Sequence, residues 1–218
     1  EVGHTLGLRH NFAGSYDPMN YPKTYWDLRT ANGTKQPKPR YLDPEKDAEK
    51  YARKTIEANP EQREAKNMLG VILVHRSRFE DAVGVLKPLA NDILYNSPES
   101  AWGNLGWAYL KLGNYDEAID ALRRSLAAQP LFCVGAYRLG LAYEQKNDFK
   151  AANDAFTKAV ETASPDCQRL QDAFDARARV GAKVGLADQV KADLTRCVAI
   201  DKTSSLGKKC ADQLKTMQ

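Results

Sequence analysis

Three glycines sit in nearly the same local wording along this chain: Gly70 in NMLGVIL, Gly106 in GNLGWAY and Gly140 in YRLGLAY, spaced 36 and then 34 residues apart. A period of that length constrains the fold more than any other feature. It holds two helices and a turn, and such a unit cannot bury its own apolar stripe, so neighbouring units must stack. The rest of each unit agrees. Tyr109 and Leu105 fall one helical turn apart. Ala82, Ala118 and Ala152 are small residues suited to a helix crossing beside the glycines. GNYDEA and KNDFKAA read as turns between paired helices, and Pro130 and Pro165 read as stops for the second helix. Segments rich in Ala, Lys, Asp and Leu point the same way.

The middle unit, Trp102, Leu105, Gly106, Tyr109, Ala118 and Pro130, resembles the tetratricopeptide repeat, with Leu122 where an aromatic residue is usual. The following unit gives Leu139, Gly140, Tyr143, Ala152, Phe156, Ala159 and Pro165. The preceding one gives Leu69, Gly70, Ala82 and Leu86, with Leu73 in place of Tyr and an inserted NDILYNSPES. On both sides the pattern decays. Residues from Pro44 to Pro60 resemble a lone second helix, and the stretch around Gly181 and Leu194 resembles a worn repeat. Leu206, Cys210, Leu214 and Met217 recur at helical spacing, as in a capping helix. The resemblance implies an all-α tetratricopeptide (TPR) solenoid of helix hairpins over residues 44–218, about nine helices in a right-handed stack with a C-terminal cap. The repeat length speaks against a coiled coil.

In tetratricopeptide arrays the first helices line a concave groove. By that resemblance the groove here would present Asn67, Val71, Trp107, Leu110, Tyr137, Leu141 and Glu144, an apolar and aromatic floor with little charge. Such a floor suits a protein or peptide ligand; the same residues would otherwise pack on neighbouring helices or on another domain. The Lys and Asn cluster of the subclass that clamps chaperone C-termini is missing, with Gly103 and Trp107 at such positions. Residues 44–218 also resemble the pilotins, tetratricopeptide lipoproteins that help assemble pilus secretins, in repeat number and mild charge. The four cysteines contain no C-x-x-C pair, which sets aside zinc-finger and thioredoxin readings. Within the array, pairing Cys133 with Cys167 and Cys197 with Cys210 would staple the weaker C-terminal end. Four cysteines allow three pairings, and the sequence leaves them open. Disulfides would imply an oxidising compartment, periplasmic or extracellular.

The first residues have a different character. Glu1, His4, Gly7 and His10 stand at the spacing E-x-x-H-x-x-G-x-x-H, and DPMNYP follows. This resembles the metzincin zinc peptidases, whose motif H-E-x-x-H-x-x-G-x-x-H precedes a turn carrying methionine. The resemblance covers residues 1 to about 22 and implies a role for each residue. His4 and His10 would be metal ligands, brought to one Zn2+ by a sharp turn at Gly7. Three protein ligands leave a fourth position for water, whose pKa zinc lowers to about 7. Glu1 would be the catalytic base. Met19 would floor the site as the Met-turn, and Tyr21 would help hold the oxyanion. The first histidine of the motif is missing, so residues 1–27 read as the C-terminal remnant of a catalytic domain, short and mostly irregular. The resemblance makes the intact parent a zinc metallopeptidase and this chain alone inactive. Residues 28–43, with Pro37 and Pro39 among Lys35, Lys38 and Arg40, read as a linker.

Charge narrows the partners. The formal net charge of +4 is spread through mixed-sign segments such as DPEKDAEKYARK, solvated helix faces rather than a nucleic-acid surface. No apolar run approaches the roughly 20 residues that span a bilayer, so no transmembrane segment is expected. His75, in VHRSRF, reads as a solvated histidine at a helix-to-helix turn. A non-enzymatic scaffold of pilotin type is the competing reading, and a histidine immediately before Glu1 would decide for the peptidase.

Overall fold

The computed structural model describes residues 44–217, with side chains from Ala48 onward. All regular structure among them is helical. They fall into two compact units, one ending at Met68 and one running from Leu69. The first holds α1 (Pro44–Ala58) and the opening turns of α2 (Arg63–His75). On α1 the buried Glu49 accepts from Arg53 Nε at 2.9 Å, one turn along the same helix face.

The second unit continues α2 and adds α3 (Phe79–Ala90), α4 (Pro98–Leu112), α5 (Tyr115–Ala128), α6 (Cys133–Gln145) and α7 (Phe149–Glu161). Then come a four-residue α8 (Pro165–Gln168), α9 (Gln171–Lys183), α10 (Ala187–Ile200) and α11 (Ser205–Lys215). Helices packed in sequence order give hairpins α4–α5, α6–α7 and α9–α10, with α11 laid on α10, and α2 meets α3 where Gly70 faces Leu86. The described residues thus hold ten longer helices and α8, against about nine expected.

Each hairpin turns in the same way. The first helix ends, one residue takes a left-handed backbone, and the next N–H reaches back to a carbonyl of the helix just completed. The left-handed residues are Ser77 (φ 56), Gly113 (φ 80), Asn147 (φ 60) and Gly185 (φ 79). The returning bonds are Arg78 N–H to Leu73 O at 2.8 Å, Asn114 to Tyr109 at 3.0 Å, Asp148 to Tyr143 at 3.0 Å and Leu186 to Gly181 at 2.9 Å. This is the C-terminal motif that satisfies the last carbonyls of a helix. Asp148 then caps α7, its side chain accepting from Ala151 N–H at 3.1 Å.

Helix crossing follows the repeated letters. A Cβ on Gly106 would sit 2.6 Å from Leu122 Cγ and 3.2 Å from the Ala118 carbonyl, and one on Gly140 would sit 2.5 Å from Phe156 Cδ1. Gly70 meets Leu86 in the same manner. Ala82, Ala118 and Ala152, with Leu86, Leu122 and Phe156, are all 0% exposed. Burying each of those large side chains contributes about 2–3 kcal/mol. The apolar stripe of α7 is Ala152, Ala155, Phe156, Ala159 and Val160, the spacing of one helix face.

The last hairpin uses other residues at those places. Twelve residues beyond Gly181, where the earlier units carry alanine, stands Asp193, 1% exposed. Arg177 holds it with two bonds, Nε to Oδ2 at 2.8 Å and Nη2 to Oδ1 at 2.6 Å. Sixteen residues beyond Gly181, where the earlier units carry Leu86, Leu122 and Phe156, stands Cys197, 0% exposed. Disulfides join Cys197 to Cys210 on α11 and Cys133 on α6 to Cys167 on α8. All four sulfur-bearing residues lie in one apolar cluster with Ala159, Phe174 and Leu194.

Two sequence expectations change. Pro165 does not stop α7, which ends at Glu161; it opens α8, where its fixed φ and missing N–H suit the first helical position. Met217 lies beyond the end of α11 and is 41% exposed, whereas Leu206 and Leu214 pack on the cluster.

Candidate functional site

Val71 on α2, Trp107 on α4 and Leu141 on α6 occupy equivalent places on successive first helices, and all three are half-buried. Val71 and Trp107 line one open pocket of about 290 Å³. Val74 and Phe79 add apolar wall, and His75, Ser77 and Asn104 add polar groups. Lys111 and Arg138 complete it. His75, read from sequence as a plain turn histidine, is exposed and belongs to this lining.

The two cations change the character expected of the floor. Lys111 Nζ lies 4.4 Å from the centroid of the Trp107 ring, and Arg138 Cζ lies 4.9 Å from it. At such distances the negative face of an indole attracts a cation, by about 0.5–1 kcal/mol at exposed sites and more when desolvated. Arg138 Nη1 also donates to the Gly103 carbonyl at 3.2 Å. Burial pushes the Arg138 pKa down to about 10, so the guanidinium keeps its charge at neutral pH. Neither cation was singled out in the sequence, yet the signal was present. Lys111 is one turn beyond Trp107 on α4, and Arg138 is three residues before Leu141 on α6; both spacings put side chains on one helix face.

The remaining groove residues are committed within the molecule to different degrees. Leu110 is half-buried on α4, and Asn67 is half-buried on α2 in the first unit. Tyr137 packs against Phe156, ring centroids 5.9 Å apart, and Leu141 packs on the same cluster around Phe156, Ala176 and Val180. Burial, then the nearby Asp172 carboxylate, pushes the Tyr137 phenol up to about 12, so it stays protonated. Glu144 takes both forks of Arg179, Nε to Oε1 at 2.7 Å and Nη2 to Oε2 at 2.8 Å. Arg179 in turn bonds Asp175 at 3.0 Å, and Lys209 on α11 bonds both oxygens of that carboxylate at 2.9 Å. Glu144 is therefore the near end of a charge chain that runs through α9 to the cap. The Glu144 hydrogen bond raises the pKa of Arg179, in contrast to Arg138.

Glu1, His4, His10, Met19, Tyr21 and the 28–43 linker lie outside the described residues. Among the described residues no group of three or more His, Cys, Asp or Glu could hold a metal ion. None of the described helices is long and apolar enough to cross a membrane.

Family models described as tetratricopeptide repeat match residues 46–92, 100–130 and 136–166, and one described as Met-zincin matches residues 1–24. No curated protein matches the chain. Among solved structures it is similar to PilW, a widely conserved type IV pilus biogenesis factor, with a TM-score of 0.65 at 20% identity, covering 87% of this chain and 79% of that one. It is also similar to Pseudomonas aeruginosa PilF, with a TM-score of 0.63 at 15% identity over 75% of this chain and 72% of that one. A third is YrrB, a TPR protein with an unusual peptide-binding site, with a TM-score of 0.60 at 14% identity over 87% and 89% of the two chains. With three repeat matches, four hairpins turning alike and these structural neighbours, residues 46–166 carry a tetratricopeptide-repeat array, and the all-α fold is that of tetratricopeptide-repeat solenoids.

Proposed function

We propose that the array is a protein-binding module that holds an extended peptide against the first helices, with the pocket at Trp107 as its centre. One observation carries this reading: a half-buried indole and Val71, equivalent residues of adjacent repeats, open together into a single pocket of about 290 Å³. Clefts of roughly 300 Å³ and more with a few placed polar groups are where proteins take ligands, and this one is lined by both polar and apolar side chains. The similarity to YrrB supports it at the level of fold. The test is retention of degenerate 12-residue peptides on the immobilised chain and on Trp107→Ala, the variant's fold being checked by far-UV circular dichroism. The indole variant should lose most of the retained peptides; identical retention would place binding elsewhere.

The module belongs, in this reading, to the C-terminal side of a metzincin-type zinc peptidase of the periplasm or cell exterior. The Met-zincin match over residues 1–24 favours this second element. In the intact parent His4 and His10 would hold zinc with the histidine missing here. Zinc held there would supply an activated water; Glu1 would be the base for its proton, Met19 would floor the ligands and Tyr21 would help hold the oxyanion. These residues supply two of the three histidine ligands of the motif, so zinc-dependent hydrolysis is expected of the chain extended upstream and not of these 218 residues by themselves. Casein cleavage by this chain and by one extended with the upstream domain, each with and without chelator, tests it; equal chelator-sensitive activity in both contradicts the proposal. The two disulfides support an oxidising compartment. The likeness to PilW and PilF keeps the pilotin-type scaffold as the alternative, and an upstream residue other than histidine before Glu1 decides for it.

A further inference from the structure

We infer that the pocket at Trp107 selects an acidic side chain, an aspartate or glutamate inside an extended peptide, beside an apolar neighbour. The inference rests on the peptide-binding reading and goes beyond it by naming what the pocket recognises.

The argument is the unequal treatment of three half-buried arginines in one array. Arg177 is paired with Asp193 at 2.6 Å and Arg179 with Glu144 at 2.7 Å, each through two guanidinium nitrogens. Arg138 has no carboxylate partner among the described residues; it makes one bond to a backbone carbonyl and lies over an indole. Five N–H groups leave most of its fork unused, and that fork matches a carboxylate. Its lowered pKa is the cost of burial without an anion. Lys111 lies over the same indole and likewise has no carboxylate among the described residues. Among the described residues the pocket lining contains both cations and no Asp or Glu. An acidic group entering there meets two charges already held in place, which lowers the ordering cost of binding. Val71, Val74 and Phe79 form the apolar wall beside them. The row Val71, Trp107, Leu141 continues past the pocket onto α6, so the ligand runs through rather than ending there.

The experiment uses the full chain and a degenerate 12-residue peptide pool, acetylated and amidated so that no terminal carboxylate is present. Retained peptides are sequenced. Asp and Glu should be enriched about tenfold at one position over the input, as one charge-assisted pair is worth roughly that factor or more. Retention should fall steeply as salt is raised. Lys111→Met with Arg138→Met should abolish the acidic enrichment while apolar selection persists. Lys111→Glu, at an exposed position, puts a carboxylate beside Arg138 and should abolish the acidic enrichment, which covers the case in which the double variant does not fold. Retention of peptides without acidic enrichment overturns this inference and leaves the binding module standing. Enrichment that appears only with a free C-terminus overturns it in favour of a terminal carboxylate. No retention of any peptide overturns both readings.

Discussion

Reduction of the two disulfides should destabilise the C-terminal end of the array, and by unequal amounts that the loop lengths fix. Cys133–Cys167 closes a sequence separation of 34 residues and Cys197–Cys210 one of 13. A cross-link removes loop-closure entropy from the unfolded chain, about 3.8 kcal/mol for the longer loop and about 2.9 kcal/mol for the shorter at 25 °C. The long-loop bond is thus worth about 1 kcal/mol more. Both bonds sit in one apolar cluster, so neither is lost to fraying before that cluster opens. The assay is urea unfolding followed by circular dichroism on the oxidised chain, the reduced chain, C133A/C167A and C197A/C210A. Slopes should rise on reduction, because the unlinked chain exposes more surface. Hydrogen exchange should show α9, α10 and α11 opening first when reduced, since an array loses stability unit by unit. Oxidised and reduced chains with one common midpoint, or a larger loss from the 13-residue bond than from the 34-residue bond, would refute the reasoning.

Four further outcomes are expected. Gly140→Ala puts a Cβ 2.5 Å from the ring of Phe156, which is 0% exposed and has nowhere to move, so urea unfolding should show a loss of about 1–3 kcal/mol. Gly84→Ala, inside α3 with nothing within 4 Å, should instead gain up to about 1 kcal/mol. Asp193→Ala leaves the half-buried Arg177 with only Glu161 at 3.8 Å and the Thr157 hydroxyl, and should cost about 1–3 kcal/mol; R177L/D193A, which restores alanine as in the other three hairpins, should recover most of that loss. Asp201 accepts from the Thr203 hydroxyl, the Thr203 N–H and the Ser204 N–H, which together hold its carboxyl below the usual range. Its stabilisation is present above the ordinary carboxylate value and lost as pH falls through the depressed one, so Asp201→Asn should flatten the acid limb of a stability–pH profile.

The hairpins from Gly70 to Phe156 were legible because each letter answers a steric demand that recurs. A glycine faces a large residue sixteen positions on, and an alanine lies between them. The last hairpin was only half legible, because it satisfies the same geometry by other chemistry. Asp193 fills the alanine place with a paired charge, and Cys197 fills the place of Leu122 and Phe156 with a bond to the cap. Its turn kept the signature at Gly185, a position not singled out in the sequence. The resemblance to tetratricopeptide arrays named Trp107 and Leu141 among the expected groove positions but not Lys111 and Arg138, which lie on the same helix faces. Glu144 was read as a groove charge from its position, but its partner Arg179 lies 35 residues on, at a distance no local pattern reveals.

These departures share a direction. From α6 onwards the array replaces small and apolar repeat residues with bonds of fixed partnership: two disulfides, Arg177 with Asp193, and the chain Glu144, Arg179, Asp175, Lys209. Paired charges and cross-links specify one arrangement but consume the groups that make them. Arg177–Asp193 ties α9 to α10, Arg179–Glu144 ties α9 to α6, and Asp175–Lys209 ties α9 to the cap. Between α4 and α6 the half-buried Arg138 and the exposed Lys111 meet over one indole with no carboxylate among the described residues. On the acidic-peptide proposal these two cations are held in place before the ligand arrives, which is what lets a site bind tightly.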